Sequence, residues 1–331
     1  MRPLKSWPLP LALLISLSHA APMKRQASSP AIPQDFPDPS IIHSNSNWYA
    51  YATTNNQYNV QLAKSPTFNG PWSVLAQDAL PTLAPWAQGP VWGPDDDGQY
   101  IMYYSAALKE FTSHHCVGAA LSSTPEGPFQ PVGDVPLICP DPTGQGTNVN
   151  PTIASAGIGG AIDASGFTDI DGQRYIVYKV DGNSLGSGGS CGNSNPGATP
   201  TPIMLVAVDS DGITPQGSPI QLLDRTSADG PLIEAPNLVR NRDGTYALFF
   251  SSNCYSTPFY DVTWATADSV TGPYTRAGPL ITTGVDGLTA PGGASIAIDG
   301  VHMAFHADYG NGRAMFINRI AGGGDAIRLT N

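Results

Sequence analysis

Five short segments rich in aromatic and β-branched residues recur along the chain after Gly or Asp-Gly turns. They are WYAYAT (48–53), QYIMYYSA (99–106), RYIVYKVDGN (174–183), TYALFFSSN (245–253) and VHMAFHADYG (301–310). Each has strand composition and is too short and too punctuated to be a helix. Three are followed by a second repeated element: SPTFNGPW (65–72), SSTPEGPF (122–129) and ADSVTGPY (267–274). Its Gly-Pro-aromatic ending reads as a turn that feeds an outer strand. The aromatic strands lie roughly 50 to 75 residues apart, the spacing of four-stranded propeller blades with their loops. The pattern predicts an all-β chain folded as a five-bladed β-propeller. Two packed β-sandwich domains are the alternative, and five copies of one pattern favour the propeller.

The chain begins differently. Arg2 and Lys5 precede an apolar run from Leu9 to Leu17, then the small residues Ala20 and Ala21, then Lys24-Arg25. This is the order of a secretory signal peptide followed by a dibasic processing site, and the run is too short to span a bilayer. Residues 1–25 are therefore expected to be removed, leaving 26–331 as a single domain. Their loss takes away four basic residues and no acid, moving the formal charge from −11 to about −15. Such a chain is repelled by nucleic acid and by anionic membrane surfaces, and a neutral polysaccharide is a compatible partner. A monomer is expected. Four cysteines travel an oxidising route without the CxxC spacing of a zinc site, so two disulfides are predicted. Three pairings are open; Cys116–Cys139 and Cys191–Cys254 are favoured, the first tying neighbouring strands and the second two long loops.

Candidate chemistry lies just upstream of the aromatic strands, where the innermost strand of each blade faces the central cavity. Asp38 lies 11 residues before Tyr49, Asp163 lies 12 before Tyr175, and Glu234 lies 12 before Tyr246. Acids in apolar surroundings are costly without a role, and equivalent positions of a closed propeller converge on its axis. Two carboxylates suffice to hydrolyse a glycoside, one giving a proton to the leaving oxygen and one activating water or attacking the sugar. A third, close by, keeps the donor protonated through like-charge repulsion. Phe36, Trp86 and Trp92 offer faces for sugar stacking or side chains for the core. His306 lines the cavity or packs within it, and Arg313 follows a Gly-rich turn close by. His114-His115 resembles a metal pair, but adjacent strand residues point to opposite faces.

At these positions the chain resembles glycoside hydrolase family 43, the arabinanase and xylosidase group, over essentially all of 26–331. FPDPSII resembles the family's opening motif, which implies Asp38 as general base. IDASGF resembles the motif of the pKa-tuning aspartate, which implies Asp163. IEAPNL resembles the motif of the catalytic acid, which implies Glu234. FHADYGNGRAMFINRI resembles the closing motif, whose arginine reaches the active centre, which implies Arg313 ahead of Arg319. The resemblance implies inversion by single displacement. APGGAS (290–295) departs from it: Gly293 stands where many arabinan-active members carry a histidine serving an axial metal or water site, so no cofactor or metal is expected. WAQGPVWGPDDDGQY (86–100) matches the second-blade motif, with Trp92 and Asp95, only if a gap is allowed. A carbohydrate-binding propeller without turnover and a retaining, invertase-type propeller are the rival readings; the three acids argue against the first, and the second differs in its motifs from IDASGF and IEAPNL.

Overall fold

The computed structural model describes residues 29–96, 100–109, 112, 114–139, 160–181, 191–193 and 200–330, without the side chains of Pro90 and of 92–96. The expected leader, residues 1–25, and the side chain of Trp92 lie outside the described residues.

Among the described residues, twenty strands form five four-stranded antiparallel meanders. Blade one comprises β1 to β4, at Ser40–Ser44, Asn47–Ala52, Gln61–Ser65 and Ser73–Val74. Blade two comprises β5 to β8, at Ala87–Asp96, Ile101–Leu108, His115–Leu121 and Gln130–Val132. Blade three comprises β9 to β12, at Ala161–Thr168, Arg174–Val180, Ile203–Val208 and Pro215–Leu223. Blade four comprises β13 to β16, at Ile233–Arg240, Tyr246–Ser252, Val262–Ala267 and Thr275–Ile281. Blade five comprises β17 to β20, at Gly292–Ile296, His302–Tyr309, Gly312–Ala321 and Arg328–Thr330. The innermost strands touch in sequence, β1 on β5, β5 on β9, β9 on β13, β13 on β17 and β17 on β1, closing a ring. This is the five-bladed propeller, and it excludes the pair of sandwiches.

Each aromatic segment is the second strand of its blade. Those strands are buried along nearly their whole length because a neighbouring blade covers each face, which explains why they lack alternation. Five apolar clusters result, one between each adjacent pair of blades. The three Gly-Pro-aromatic elements link third to fourth strands through cis Gly-Pro bonds. Ring closure uses the start of the described chain: the Ala31 and Ile32 amides donate to the Met315 carbonyl, and the Phe36 amide donates to the Arg313 carbonyl. The segment thus runs along β19 and delivers Asp38 to the axis, while the exposed Asp35 accepts the Arg313 amide at 2.9 Å.

Both favoured cysteine pairs form. Cys116 in β7 bonds to Cys139, with Cα atoms 4.8 Å apart, and Cys191 to Cys254, at 5.6 Å. Cys254 lies in the loop that leaves β14. His114 lies close to Cys116 and Cys139, but those sulfurs are spent in the disulfide and are not thiolate ligands.

Candidate active site

Four blades share one irregularity near the start of the innermost strand. In β9, Ile162 pairs with Lys179 and Ser165 with Val177, so Asp163 and Ala164 together oppose the single residue Tyr178. In β13, Glu234 pairs with Ser251 and Asn237 with Phe249, which sets Ala235 and Pro236 against Phe250. In β17, Gly292 pairs with His306 and Ser295 with Ala304. Blade one follows suit: the Thr53 amide bonds the Pro37 carbonyl, and Ser40 pairs with Tyr51. The first residue of each bulge has a left-handed backbone: Asp38 (φ 52°), Asp163 (57°), Ala235 (52°) and Gly293 (59°). Aspartate tolerates that region better than most non-glycine residues, and a bulge re-aims its side chain.

This register corrects one expectation. Asp38 and Asp163 are structurally equivalent, but Glu234 is not their counterpart; Ala235 is. Equal spacing misleads because Tyr246 stands one position earlier in its strand than Tyr175: it lies four residues before Phe250, whereas Tyr175 lies three before Tyr178. Glu234 comes from the position one residue earlier, the one that pairs directly with the second strand.

Asp38 and Asp163 line one axial cavity with Tyr260 and Gly293. The carboxylate of Asp38, 23% exposed, receives the Thr53 hydroxyl at 2.7 Å and Arg313 Nη1 at 3.3 Å. Burial works against its ionised form. The Arg313 charge and the Thr53 hydrogen bond outweigh burial and hold the carboxyl below the ordinary aspartate range. Asp38 therefore rests as a carboxylate.

Asp163 Oδ2 accepts the Ala235 amide at 2.9 Å, and its own amide donates to Ser105 Oγ at 3.1 Å. Burial first, and the Glu234 charge second, push this aspartate up to about 7, with Lys179 pulling the other way. Glu234 is 14% exposed, and donors meet both of its oxygens: the Tyr260 hydroxyl reaches Oε1 at 2.8 Å and Lys179 Nζ reaches Oε2 at 3.2 Å. Burial, then the surrounding carboxylates, raise Tyr260 well above the normal phenol value, so it stays a donor. Burial disfavours the charge of Lys179, yet Glu234, Asp181 and Asp163 more than offset it, and the lysine remains an ammonium ion.

The axis thus gathers Asp38, Asp163, Glu234, Arg313 and His306, but His306 does not serve as expected. It is fully buried, so it meets no sugar. Its Nδ1 accepts the Asp38 amide at 3.0 Å, its ring stacks on Tyr260 at 5.7 Å, and Nε2 lies 3.4 Å from Arg313 Nη1. Burial and the Arg313 charge drop its pKa to about 3, leaving a neutral ring that props Asp38 from behind. Phe36 takes the core alternative and not the sugar-stacking one. Pulled in by the pairing with β19, it is fully buried in the cluster between blades five and one and offers the cleft no face. Trp86 stacks on Tyr104 in the core. An exposed aromatic at the site comes instead from Tyr255, 37% exposed, beneath the Arg313 guanidinium at 5.1 Å. Arg319 lies over Phe68.

Lys179 and Tyr260 escaped the reading of the sequence. A lysine inside the buried run RYIVYKV was a usable signal, since lysine is rarely buried unpaired. Tyr260 gave none; it reaches the site because Gly292 lacks a Cβ that would collide with its ring.

Gly293 gives the axis no metal donor. A Cβ there would sit 2.8 Å from His306 Cε1, so a histidine would not fit. The polar groups below it are committed to one another: Asn237 Nδ2 donates to Ser165 Oγ, the Ile296 amide to Asn237 Oδ1, and the Ile41 amide to Ser295 Oγ. These residues do not fit a histidine-held axial ion. A second cavity, at the other end of the axis, is lined by Ile41, Phe167, Leu238 and Ile296 among others and by no carboxylate.

The chain is similar to known proteins in both sequence and shape. The beta-D-galactofuranosidase xynD of Aspergillus niger is 25% identical over 92% of this chain and 86% of its own length. A probable arabinan endo-1,5-alpha-L-arabinosidase B of Aspergillus fumigatus is 29% identical over 48% of this chain and 42% of its own. A thermostable family-43 glycoside hydrolase of known structure superposes with a TM-score of 0.73 at 22% identity, covering 92% of this chain and 96% of that one. The model of glycosyl hydrolases family 43 matches residues 27–322, and the chain accordingly belongs to that family and is an O-glycosyl hydrolase.

Proposed function

We propose that the protein is a secreted hydrolase of arabinose- or xylose-containing plant cell-wall polysaccharide that inverts configuration. Asp38 is the general base, Glu234 the general acid, and Asp163 the neighbour that keeps a proton in the site. The observation that carries this reading is the difference in environment among the three acids. Asp38 is held ionised by Arg313 and Thr53, as a base must be, while burial and the Glu234 charge favour a proton on Asp163, beside Glu234. The two disulfides support export to an oxidising compartment. The arabinosidase among the relatives supports an arabinose-containing substrate.

A second reading has its own support. The relative matched along most of the chain bears the name of a galactofuranosidase. Galactofuranose and arabinofuranose are both five-membered-ring sugars, and the former has the longer exocyclic arm. A panel of aryl α-L-arabinofuranoside, β-D-xyloside and β-D-galactofuranoside, with arabinan and arabinoxylan, separates these substrates. On the polysaccharide that is turned over, Glu234→Gln should lose on the order of 10²–10⁴-fold in kcat while retaining binding. Aryl glycosides with activated leaving groups should suffer less. Full polysaccharide activity in this variant would remove Glu234 from the mechanism.

A further inference from the structure

The bulged tier sets one second-strand residue behind the start of each inner strand. In blades one, four and five these residues are Thr53, Ser251 and His306, whose side chains bond Asp38, the Gly293 amide and the Asp38 amide. In blade three the residue is Lys179. Its side chain is 2% exposed, with Nζ 3.2 Å from Glu234 Oε2 and 3.4 Å from Asp181 Oδ1. Asp181 Oδ2 in turn lies 2.6 Å from His115 Nδ1, and the His115 side chain is 17% exposed. A row of ionisable groups therefore runs from His115 through Asp181 and Lys179 to Glu234.

A buried ion pair is a poor device for stability alone, because well-packed apolar residues often do as well. Charge balance suggests another use. When ionised, Asp38, Asp163, Glu234 and Asp181 bring four negative charges, and Arg313 and Lys179 bring two positive ones. The excess of negative charge favours a proton on the buried carboxyls, and the Lys179 cation opposes it. Single displacement requires an ionised base and one proton for the leaving group.

We propose that Lys179 is a positioning residue for the hydrolysis: shared between Glu234 and Asp181, it fixes the Glu234–Asp163 pair at one proton. This rests on the reading of Glu234 as the acid. With Lys179 absent, the pair would hold its proton more tightly and draw toward a second. With Asp181 absent, the ammonium charge would fall wholly on Glu234, and the pair would release its proton sooner. Lysine and aspartate thus act in opposite directions through one atom, Nζ.

The test is a carbon-13 NMR titration of protein labelled at its Asp and Glu carboxyls, without substrate. For Lys179→Met, the proton of the pair should be released about one pH unit or more above the wild-type position, the effect of losing a cation within a few ångströms. For Asp181→Asn, release should shift the other way. Lys179→Arg, which keeps the charge, should stay near wild type. Titrations that coincide with wild type in both charge-removing variants, or move in one direction in both, overturn the proposal. If Lys179→Met does not fold, as judged by circular dichroism, Asp181→Asn decides: a downward shift supports the proposal and an unshifted titration overturns it. The Glu234→Gln assay separates the two layers. Retained polysaccharide turnover there defeats the reading of the acid, whereas lost turnover with unshifted titrations defeats only the role of Lys179.

Discussion

Arg313 Nη1 lies 3.3 Å from Asp38 Oδ1, joining the fifth blade to the segment that closes the ring. The arginine shares in fixing the ionisation of Asp38, whose burial would otherwise favour the neutral acid. Arg313→Met should therefore raise the Asp38 pKa. The base works only when ionised, so the acidic limb of the kcat/KM profile should move to higher pH, and activity at pH 5 should fall more than activity at pH 8. A profile with an unmoved acidic limb would separate Arg313 from the base.

Asp163 is pushed up to about 7, largely by burial and then by the Glu234 charge. Asp163→Asn removes one negative charge from the pair, which then releases its proton at lower pH. The alkaline limb of kcat should shift down, with the greatest loss of rate at neutral pH. A full rate with an unchanged limb would leave Asp163 only its hydrogen bond to the Ala235 amide.

The Cys191–Cys254 bond closes a loop across 63 residues of sequence and anchors the chain next to Tyr255. Replacing both cysteines with alanine should lower stability by about 2–4 kcal/mol, read from denaturant unfolding. Unreduced peptide mapping of the wild-type protein should find no free thiol, and an alkylated Cys191 or Cys254 would contradict the pairing.

Inversion predicts the anomer of the first-formed sugar. Asp38 and Glu234 belong to blades one and four, and an inverting pair stands about 6.5–9.5 Å apart to admit a water, against about 5–5.5 Å in retaining enzymes. Proton NMR of the early product should show the inverted anomer. A retained anomer would reassign Asp38 from base to nucleophile.

The sequence by itself determined the architecture and pointed to three acids that the fold brings together. Blade count follows from five aromatic strands and their Gly-Pro turns, because buried second strands demand that composition wherever they occur and turns demand theirs locally. It also marked Asp38, Asp163 and Glu234, since acids in apolar settings announce themselves without any contact being known. Only the tertiary structure decided how these residues meet. The one-residue offset of Glu234 comes from strand register, since Tyr246 stands one position earlier in its strand than Tyr175, which sequence spacing does not reveal. The partners lie far apart in the chain: Lys179 and Glu234 are separated by 55 residues, and Asp38 and Arg313 by 275. Phe36 was drawn into the core, and His306 behind Asp38, by closure of the ring. Local composition carries propensity and burial; the convergence of side chains on an axis depends on strand register and ring closure, which only the assembled blades fix.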